Sequence, residues 1–160
     1  MSHSDYIQAL FTVIDEFDAA LYWLKRSYNI CRAAGIKEKY KEDEFDAFET
    51  LTGRFIRLSD MLIQKVFRSI DKVEFVKEGT MLDALNRAHK RGLIESIEQI
   101  QEIRKLRNDI SHEYAPVELK ELFDDTLRYT ESLFEIVDRV KAYAGNFQAG
   151  EDTATNEGNN

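Results

Sequence analysis

Cysteine, proline and glycine are scarce in this chain of 160 residues, which contains one cysteine, one proline and seven glycines. The single Cys31 excludes a disulfide scaffold and a cysteine-rich zinc site, and a lone thiol favours a reducing compartment. Glycine and proline are common in the tight turns of all-β proteins, so their scarcity favours long helices. Hydrophobic residues make up 43% and charged residues 32%, which is typical of a single folded domain.

Long apolar runs are also absent. No stretch of about 18 apolar residues is present that could span a membrane. The opening residues, MSHSDYIQALF, have neither the basic region nor the continuous apolar run of a signal peptide. We therefore expect a cytoplasmic protein that has no membrane partner.

Positive charge is in deficit, with 22 Lys and Arg against 30 Asp and Glu and a net charge of −8. This balance argues against avid binding of nucleic acid, which depends on Lys and Arg contacts to phosphates. The charge is uneven, however. Residues 52–77 carry six basic and three acidic side chains, whereas residues 117–160 carry four basic and ten acidic ones. The middle of the chain can therefore form a local anion site.

Apolar residues recur in steps of three and four along most of the chain, which is the spacing of amphipathic helices. The pattern predicts five helices, at about 4–34, 44–71, 80–91, 93–113 and 116–144. Ser4 or Asp5 is expected to cap the first helix and Thr80 the third, while Pro116 suits the first turn of the fifth. Glycines are expected to end the first, third and fifth helices, namely Gly35, Gly92 and Gly145.

We expect these helices to form an all-α, up-and-down helical bundle of four to five helices over residues 1–146. The remaining segment, 147–160, reads FQAGEDTATNEGNN and is polar with few large apolar groups. Such a composition predicts a disordered tail, because it offers little apolar surface to bury.

Sequence templates for common catalytic and metal sites are missing. The chain has no P-loop, no GxGxxG after a strand, no HExxH and no GxSxG. Its three histidines, His3, His89 and His112, are too scattered to indicate a metal cage. We predict neither a metal nor a cofactor.

One stretch, RKLRNDISHEY at residues 104–114, concentrates polar groups at the end of an apolar-faced helix. On an ideal helix, Arg107 and Tyr114 fall on the apolar face and His112 on the opposite one. Either the helix loosens before Pro116 and brings His112 round, or Arg107 and His112 lie on different faces. An arginine on an apolar face requires an anion, carbonyl groups or a partner surface. In a purely structural reading, Arg107 pairs with a buried carboxylate of another helix, Tyr114 fills the core and His112 caps the helix.

The segment RNDISHEY has an arginine, four residues, a histidine, one residue and a tyrosine, with Asn108 directly after the arginine. It resembles the RX4HXY signature of HEPN-domain ribonucleases, in particular the HepT toxins of HEPN/MNT toxin–antitoxin systems. HEPN domains are α-helical bundles of about this length, so the resemblance in layout covers residues 4–145. It implies cleavage of RNA without a metal, by attack of the ribose 2′-hydroxyl, in a cleft where two protomers of a homodimer meet.

The resemblance also implies roles for single residues. His112 would exchange protons near neutral pH, and Arg107 would hold two phosphoryl oxygens with its planar fork. Asn108 would donate to a phosphate or orient His112. Further phosphate contacts are expected from basic residues of the middle helices, namely Arg104, Lys105, Arg54 and Arg57.

The resemblance further implies a partner, a nucleotidyltransferase antitoxin of the MNT type. Such an antitoxin would silence the toxin by adenylylation of the signature tyrosine, which is Tyr114 by position. An AMP ester there would add bulk and negative charge two residues from His112 and would compete with the RNA phosphate.

Two other functions are compatible with the sequence. Some HEPN proteins are non-catalytic subunits that bind a nucleotide or a nucleotidyltransferase, and the acidic net charge favours this alternative over avid RNA binding. The other is a purely structural or regulatory bundle. A monomer in which Arg107 is paired inside its own core would favour that third function.

Overall fold

The computed structural model describes residues 1–112 and 118–157, with the backbone alone given from residue 149 onward. In these ranges the regular structure is all helical, so the predicted all-α bundle is confirmed. The helices are α1 (His3–Ala34), α2 (Glu42–Met61), α3 (Phe67–Val73), α4 (Met81–Lys90), α5 (Ile97–Ser111) and α6 (Leu119–Glu157). A π-helical turn, Leu62–Val66, joins α2 to α3 without a break, so these two helices form one rod where the sequence predicted a single helix over 44–71.

The core lies between α1, the α2–α3 rod and α6, and the apolar stripes seen in the sequence face it. Five phenylalanines are fully buried, namely Phe17, Phe48, Phe55, Phe67 and Phe123. Phe48 of α2 stacks on Phe123 of α6 with ring centroids 4.6 Å apart. Offset aromatic pairs of this kind add to the free energy of burial, so this pair ties the two long helices together.

Side-chain caps set the helix starts. Ser2, not Ser4 or Asp5, caps α1, because its hydroxyl accepts from the Asp5 backbone NH while the Asp5 carboxylate accepts from the Ser2 backbone NH. Thr80 and Asp83 form the same reciprocal box at the start of α4, as the sequence predicted for Thr80.

Two glycines end helices as predicted. Gly35 and Gly92 follow α1 and α4 with φ of 78° and 75°, in the left-handed region that favours glycine. Leu93 and Ile94 are buried in the turn after Gly92, so α5 starts four residues later than the predicted 93. Its actual cap is Ser96, whose hydroxyl accepts from the Gln99 backbone NH.

The end of α6 corrects one prediction. The helix passes through Gly145 and continues to Glu157, so Gly145 is not its last residue. The disorder expected for the tail over 147–160 stays a prediction. Tyr143 and Phe147 lie one turn apart on either side of Gly145, and their rings meet edge to face at 5.6 Å. A contact between side chains four residues apart stabilises a helix, and this one spans Gly145. The predicted start at Pro116 lies outside the described residues.

A buried ionic network fixes α4 against α3. The carboxylate of the buried Asp71 accepts from Arg87 Nε at 3.0 Å and Nη2 at 2.8 Å, and from Arg91 Nη1 at 2.7 Å. Arg91 also donates through Nε and Nη2 to Glu74, and Glu74 in turn accepts from the hydroxyl of Tyr143 on α6. Three helices are therefore held by one connected set of charge-assisted hydrogen bonds.

Candidate functional site

The RNDISHEY segment occupies the last turns of α5. Three residues of this helix, Ile100, Ile103 and Leu106, are buried against the core and orient it. The helix ends at Ser111, and His112 leaves it with extended backbone angles (φ −94°, ψ 153°) and an exposed side chain. Tyr114 lies outside the described residues, so its predicted modification has no structural account here.

Arg107 binds the carboxylate of Asp60 on α2 in a two-pronged ion pair. Its Nε donates to Oδ1 at 3.1 Å and its Nη2 donates to Oδ2 at 3.0 Å. The hydrogen bonding that Arg107 donates to Asp60 is the main reason why the pKa of Arg107 is raised above its usual value. Both side chains are 34% exposed. Arg107 therefore sits at the edge of the bundle, not on the core face where the helical wheel placed it, because Asp60 draws it toward α2.

The pairing leaves part of the Arg107 fork available. A guanidinium carries five N–H donors. Two bind Asp60, and a third, on Nη1, donates to the Ser111 hydroxyl at 3.2 Å. One donor on Nη1 and one on Nη2 have no partner among the described residues. Two donors are the number that a bidentate contact to phosphoryl oxygens requires.

A cavity of about 220 Å³ opens beside this ion pair. Its lining comes from α2, the π-helical turn, the start of α4 and α5, and comprises Ser59, Asp60, Ile63, Gln64, Met81, Arg104, Arg107 and Asn108. We call it the Arg107 cavity. The structure thus brings together three of the predicted site residues, Arg104, Arg107 and Asn108. π-Helical turns are rare and occur often at functional sites, and here one contributes Ile63 and Gln64 to the wall.

His112 faces a different depression. A groove of about 460 Å³ runs between α5 and the start of α6, and we call it the His112 groove. Half of the residues in its lining are acidic, and the lining comprises Lys105, Leu106, Asp109, His112, Glu118, Glu121, Leu122 and Asp125. Of the two alternatives from the helical wheel, the structure favours the second, since Arg107 and His112 open onto different sides of α5.

Sequence reasoning missed Asp60 and Ser111, the two residues that hold Arg107. Asp60 is the only acidic residue among residues 52–70, in a stretch that otherwise carries only basic charges. That isolation is the signal from which a partner for an arginine on another helix could have been found. The other predicted phosphate contacts, Arg54 and Arg57, line a separate cavity.

Two classes of site are missing from the part of the chain that the structure describes. Within it, no group of three or more His, Cys, Asp or Glu side chains could hold a metal ion. Among the described helices, none combines the length and apolar character needed to cross a membrane. Comparison with protein-family models, with curated proteins and with solved structures finds no match to this chain. The functional argument therefore depends on the residues described above.

Proposed function

We propose that this chain is an endoribonuclease toxin of a HEPN/MNT toxin–antitoxin system that works without a metal. The observation that carries the proposal is the Arg107 cavity, where Asp60 orients a guanidinium beside Asn108 and Arg104, and two donors of that guanidinium have no partner among the described residues. These are donors for a phosphate, and the exposed His112 that completes the signature lies at the end of the same helix.

The proposed active form is a homodimer. Within one chain, Arg107 and His112 open onto different sides of α5, so one copy alone does not place both on a single phosphate. A second copy that apposes its α5 end would complete a cleft lined by both signatures. In this arrangement the Arg107 side chains of both copies would enter the same cleft. Their positive charge would offset part of the negative charge around His112.

The proposed reaction is an internal displacement at phosphorus. The ribose 2′-oxygen forms a bond to phosphorus while the bond to the 5′-oxygen breaks, which leaves a 2′,3′-cyclic phosphate and a free 5′-hydroxyl. His112 would accept the 2′ proton or donate one to the leaving oxygen, since an imidazole exchanges protons near neutral pH. Arg107 and Asn108 would stabilise the charge that develops on the phosphoryl oxygens.

A nucleotidyltransferase antitoxin is the proposed partner, with Tyr114 as the residue that receives AMP. The support is the position of the tyrosine in the signature, two residues after His112. An AMP group at this position would bring a phosphate next to the groups proposed to hold the substrate phosphate. Like-charge repulsion and bulk would then both exclude RNA.

The test is an RNase assay in EDTA with wild type, Arg107→Ala, His112→Ala and the control His89→Ala. His89 is a matched control because it is also exposed at the end of a helix. We expect Arg107→Ala and His112→Ala to lower the cleavage rate by about 100-fold or more and His89→Ala to leave it unchanged. The product of the wild type should carry 2′,3′-cyclic phosphate ends, and circular dichroism should show equal helicity in all four proteins.

Equal cleavage by wild type and His112→Ala would contradict the proposal. So would a wild type that cuts no RNA while mass spectrometry shows an unmodified Tyr114. An oligonucleotide with 2′-deoxyribose at every position must remain intact, because it lacks the attacking hydroxyl.

A second candidate function is a non-catalytic subunit that binds a nucleotidyltransferase. The acidic lining of the His112 groove favours it, because four carboxylates there repel a phosphate. Under this function the purified chain forms a stable complex with the transferase and cuts no RNA, alone or as a dimer. Co-purification with the transferase followed by the assay above separates the two functions.

A further inference from the structure

A second cationic surface lies one to two turns before Asp60 on α2, where that helix faces α1. We call it the Trp23 patch and define it by Trp23, Arg26, Arg54 and Arg57. Trp23 is 48% exposed, and the neighbouring Tyr22 is 62% exposed and meets it edge to face with centroids 5.1 Å apart. The two adjacent exposed rings form a contiguous apolar patch, and patches of this kind can mark interaction sites.

Arg54 is held in place at the centre of this patch. Its Nη1 donates to the Trp23 carbonyl oxygen at 3.2 Å and to the Ser27 hydroxyl at 2.7 Å. Its guanidinium carbon lies 5.1 Å from the centroid of the Trp23 ring, within the range of a cation–π contact. The donors on Nε and Nη2 have no partner among the described residues. The patch therefore presents an ordered aromatic ring and an ordered cation together.

Two cavities meet at Arg54. One, of about 240 Å³, is lined by Ala20, Trp23, Arg54 and Arg57. The other, of about 200 Å³, is lined by Arg26, Ser27, Ile30, Ala47, Thr50 and Arg54. Neither lining contains a carboxylate. The two cavities therefore form one track that is centred on Arg54 and lined by basic, apolar and hydroxyl side chains.

The charges of this track are uncompensated. Among the described residues, Arg26, Arg54 and Arg57 make no salt bridge. Six other arginines pair with carboxylates, and two more, Arg32 and Arg104, make no salt bridge among the described residues; the paired ones are Arg68, Arg87, Arg91, Arg107, Arg128 and Arg139. Arg54 and Arg57 beside the exposed Trp23, with Arg26 in the adjoining cavity, match a ligand that is anionic and carries a flat ring.

We propose that the Trp23 patch binds single-stranded RNA, with a base stacked on Trp23 and phosphates on Arg26, Arg54 and Arg57. Stacking on an aromatic ring inside a positive groove is how proteins hold single strands without reading their sequence. The patch also explains how a chain of net charge −8 retains RNA, since binding needs only a local positive track.

The inference rests on the proposed function, because the same helix connects the patch to the Arg107 cavity. Arg57 and Arg54 precede Asp60 by three and six residues on α2, which is about 4.5 and 9 Å along the helix axis. A strand that ran along α2 from the Arg107 cavity would cover this axial distance within a few nucleotides. The patch would set the direction in which the substrate lies.

The test measures binding separately from cleavage. The ligand is a ten-nucleotide oligouridine with 2′-O-methyl groups, which has no free 2′-hydroxyl and stays intact. A labelled form gives the affinity by fluorescence anisotropy of the label, and an unlabelled form is titrated against the protein fluorescence. Trp23 is the only tryptophan of the chain, so quenching of its emission reports on the patch itself.

The variants are Trp23→Leu and Arg57→Ala, with Arg128→Ala as the control. Arg128 is matched because its guanidinium also lies over an aromatic ring, 5.2 Å from the Tyr129 centroid, but it is paired with Asp125. We expect quenching in the wild type and about fivefold or greater loss of affinity in Trp23→Leu. Arg57→Ala should weaken binding and lower the slope of log affinity against log salt by about 1. Arg128→Ala should match the wild type within about twofold.

Four outcomes would overturn the inference. The first is binding without quenching, and the second is an equal loss of affinity in Arg128→Ala. The third is equal affinity for AMP and for the ten-nucleotide strand, which would show that the patch binds a mononucleotide and not a strand. The fourth is no RNA binding together with loss of dimerisation in Arg57→Ala by analytical ultracentrifugation, which would make the patch an interface between copies.

Cleavage of unmodified RNA by the same proteins distinguishes the two proposals. Quenching and binding without any cleavage would contradict the proposed function and support the patch. Cleavage that is equal in wild type, Trp23→Leu and Arg57→Ala, without quenching, would support the function and contradict the patch.

Discussion

At the scale of single residues, the ion pair of Arg107 and Asp60 does more to orient the Arg107 guanidinium than to stabilise the folded protein. Both side chains are 34% exposed, and ion pairs in contact with solvent contribute less than about 1 kcal/mol to the free energy of unfolding. The buried Asp71 with Arg91 is the contrasting case in the same molecule. An exposed pair with two-pronged geometry is therefore best understood as a device that holds a guanidinium in one direction.

Substitution of Asp60 tests this role. Asp60→Ala frees the Arg107 side chain, so we expect kcat for RNA cleavage to fall by about tenfold or more, with KM little changed. Asp60→Asn keeps one acceptor oxygen and should recover part of the rate. Thermal unfolding should shift little in either variant.

The control for Asp60 is Glu95→Ala, which removes an exposed carboxylate from Arg139 on a part of the surface outside the Arg107 cavity and the His112 groove. It should alter neither kcat nor thermal unfolding. An unchanged kcat in Asp60→Ala would show that the ion pair has no part in positioning Arg107.

At the scale of elements, glycines inside two helices weaken the bundle without a steric reason. Gly53 of α2 and Gly145 of α6 have open space where a Cβ would lie, and neither has a positive φ. Gly35 also has open space, but its φ of 78° is one that side chains other than glycine rarely adopt. Substitutions at Gly53 and Gly145 therefore measure the backbone entropy of glycine in a helix, whereas a substitution at Gly35 measures backbone strain.

Replacement of these glycines by alanine should have opposite effects. Gly53→Ala and Gly145→Ala should each raise the free energy of unfolding by about 0.5–1 kcal/mol, since alanine loses less backbone entropy in a helix. Gly35→Ala should lower it by about 1 kcal/mol because of left-handed strain. Urea unfolding followed by circular dichroism measures all three, and a stabilising Gly35→Ala would contradict the assigned end of α1.

At the scale of the whole molecule, stability depends on pH through the buried ionic network. Burial by itself raises the pKa of Asp71, but hydrogen bonds from Arg87 and Arg91 outweigh it and hold the pKa below its usual value. Because this pKa is lower in the folded state than in the unfolded one, the unfolded chain binds more protons in acid. The contribution of Asp71 is therefore complete above the unfolded pKa of about 3.9 and is lost as the pH falls through the folded pKa.

Acid unfolding of Asp71→Asn tests this linkage. The variant leaves two arginines without their buried anion, so we expect it to be less stable at pH 7 by about 3 kcal/mol. Its free energy of unfolding should also fall less steeply than that of wild type as the pH drops below about 4. Asp125→Asn, at an exposed pair, should keep the slope of wild type. Equal slopes in Asp71→Asn and wild type would show that Asp71 does not carry the acid sensitivity.

Much of the fold could be predicted because helical periodicity and capping are local properties. The stripes of α1, α5 and α6, the Thr80 cap and the glycine stops at Gly35 and Gly92 follow from neighbouring residues. The end of α3 could not, because Phe75 takes the left-handed conformation there, with φ of 55°. The Phe75 ring lies 5.5 Å from the ring of His3, the first residue of α1. The residues around Phe75 in the sequence indicate neither this contact nor its positive φ.

For the candidate site, the sequence by itself determined which residues concentrate at the end of α5 and that Arg107 and His112 lie on different faces of an ideal helix. Both are consequences of spacing along one helix. Only the tertiary structure decided what each side chain meets: Asp60 for Arg107, an acidic groove for His112, and a track between α1 and α2 for Arg54 and Arg57. These contacts join residues that are distant in the chain, and the packing of the helices alone sets them.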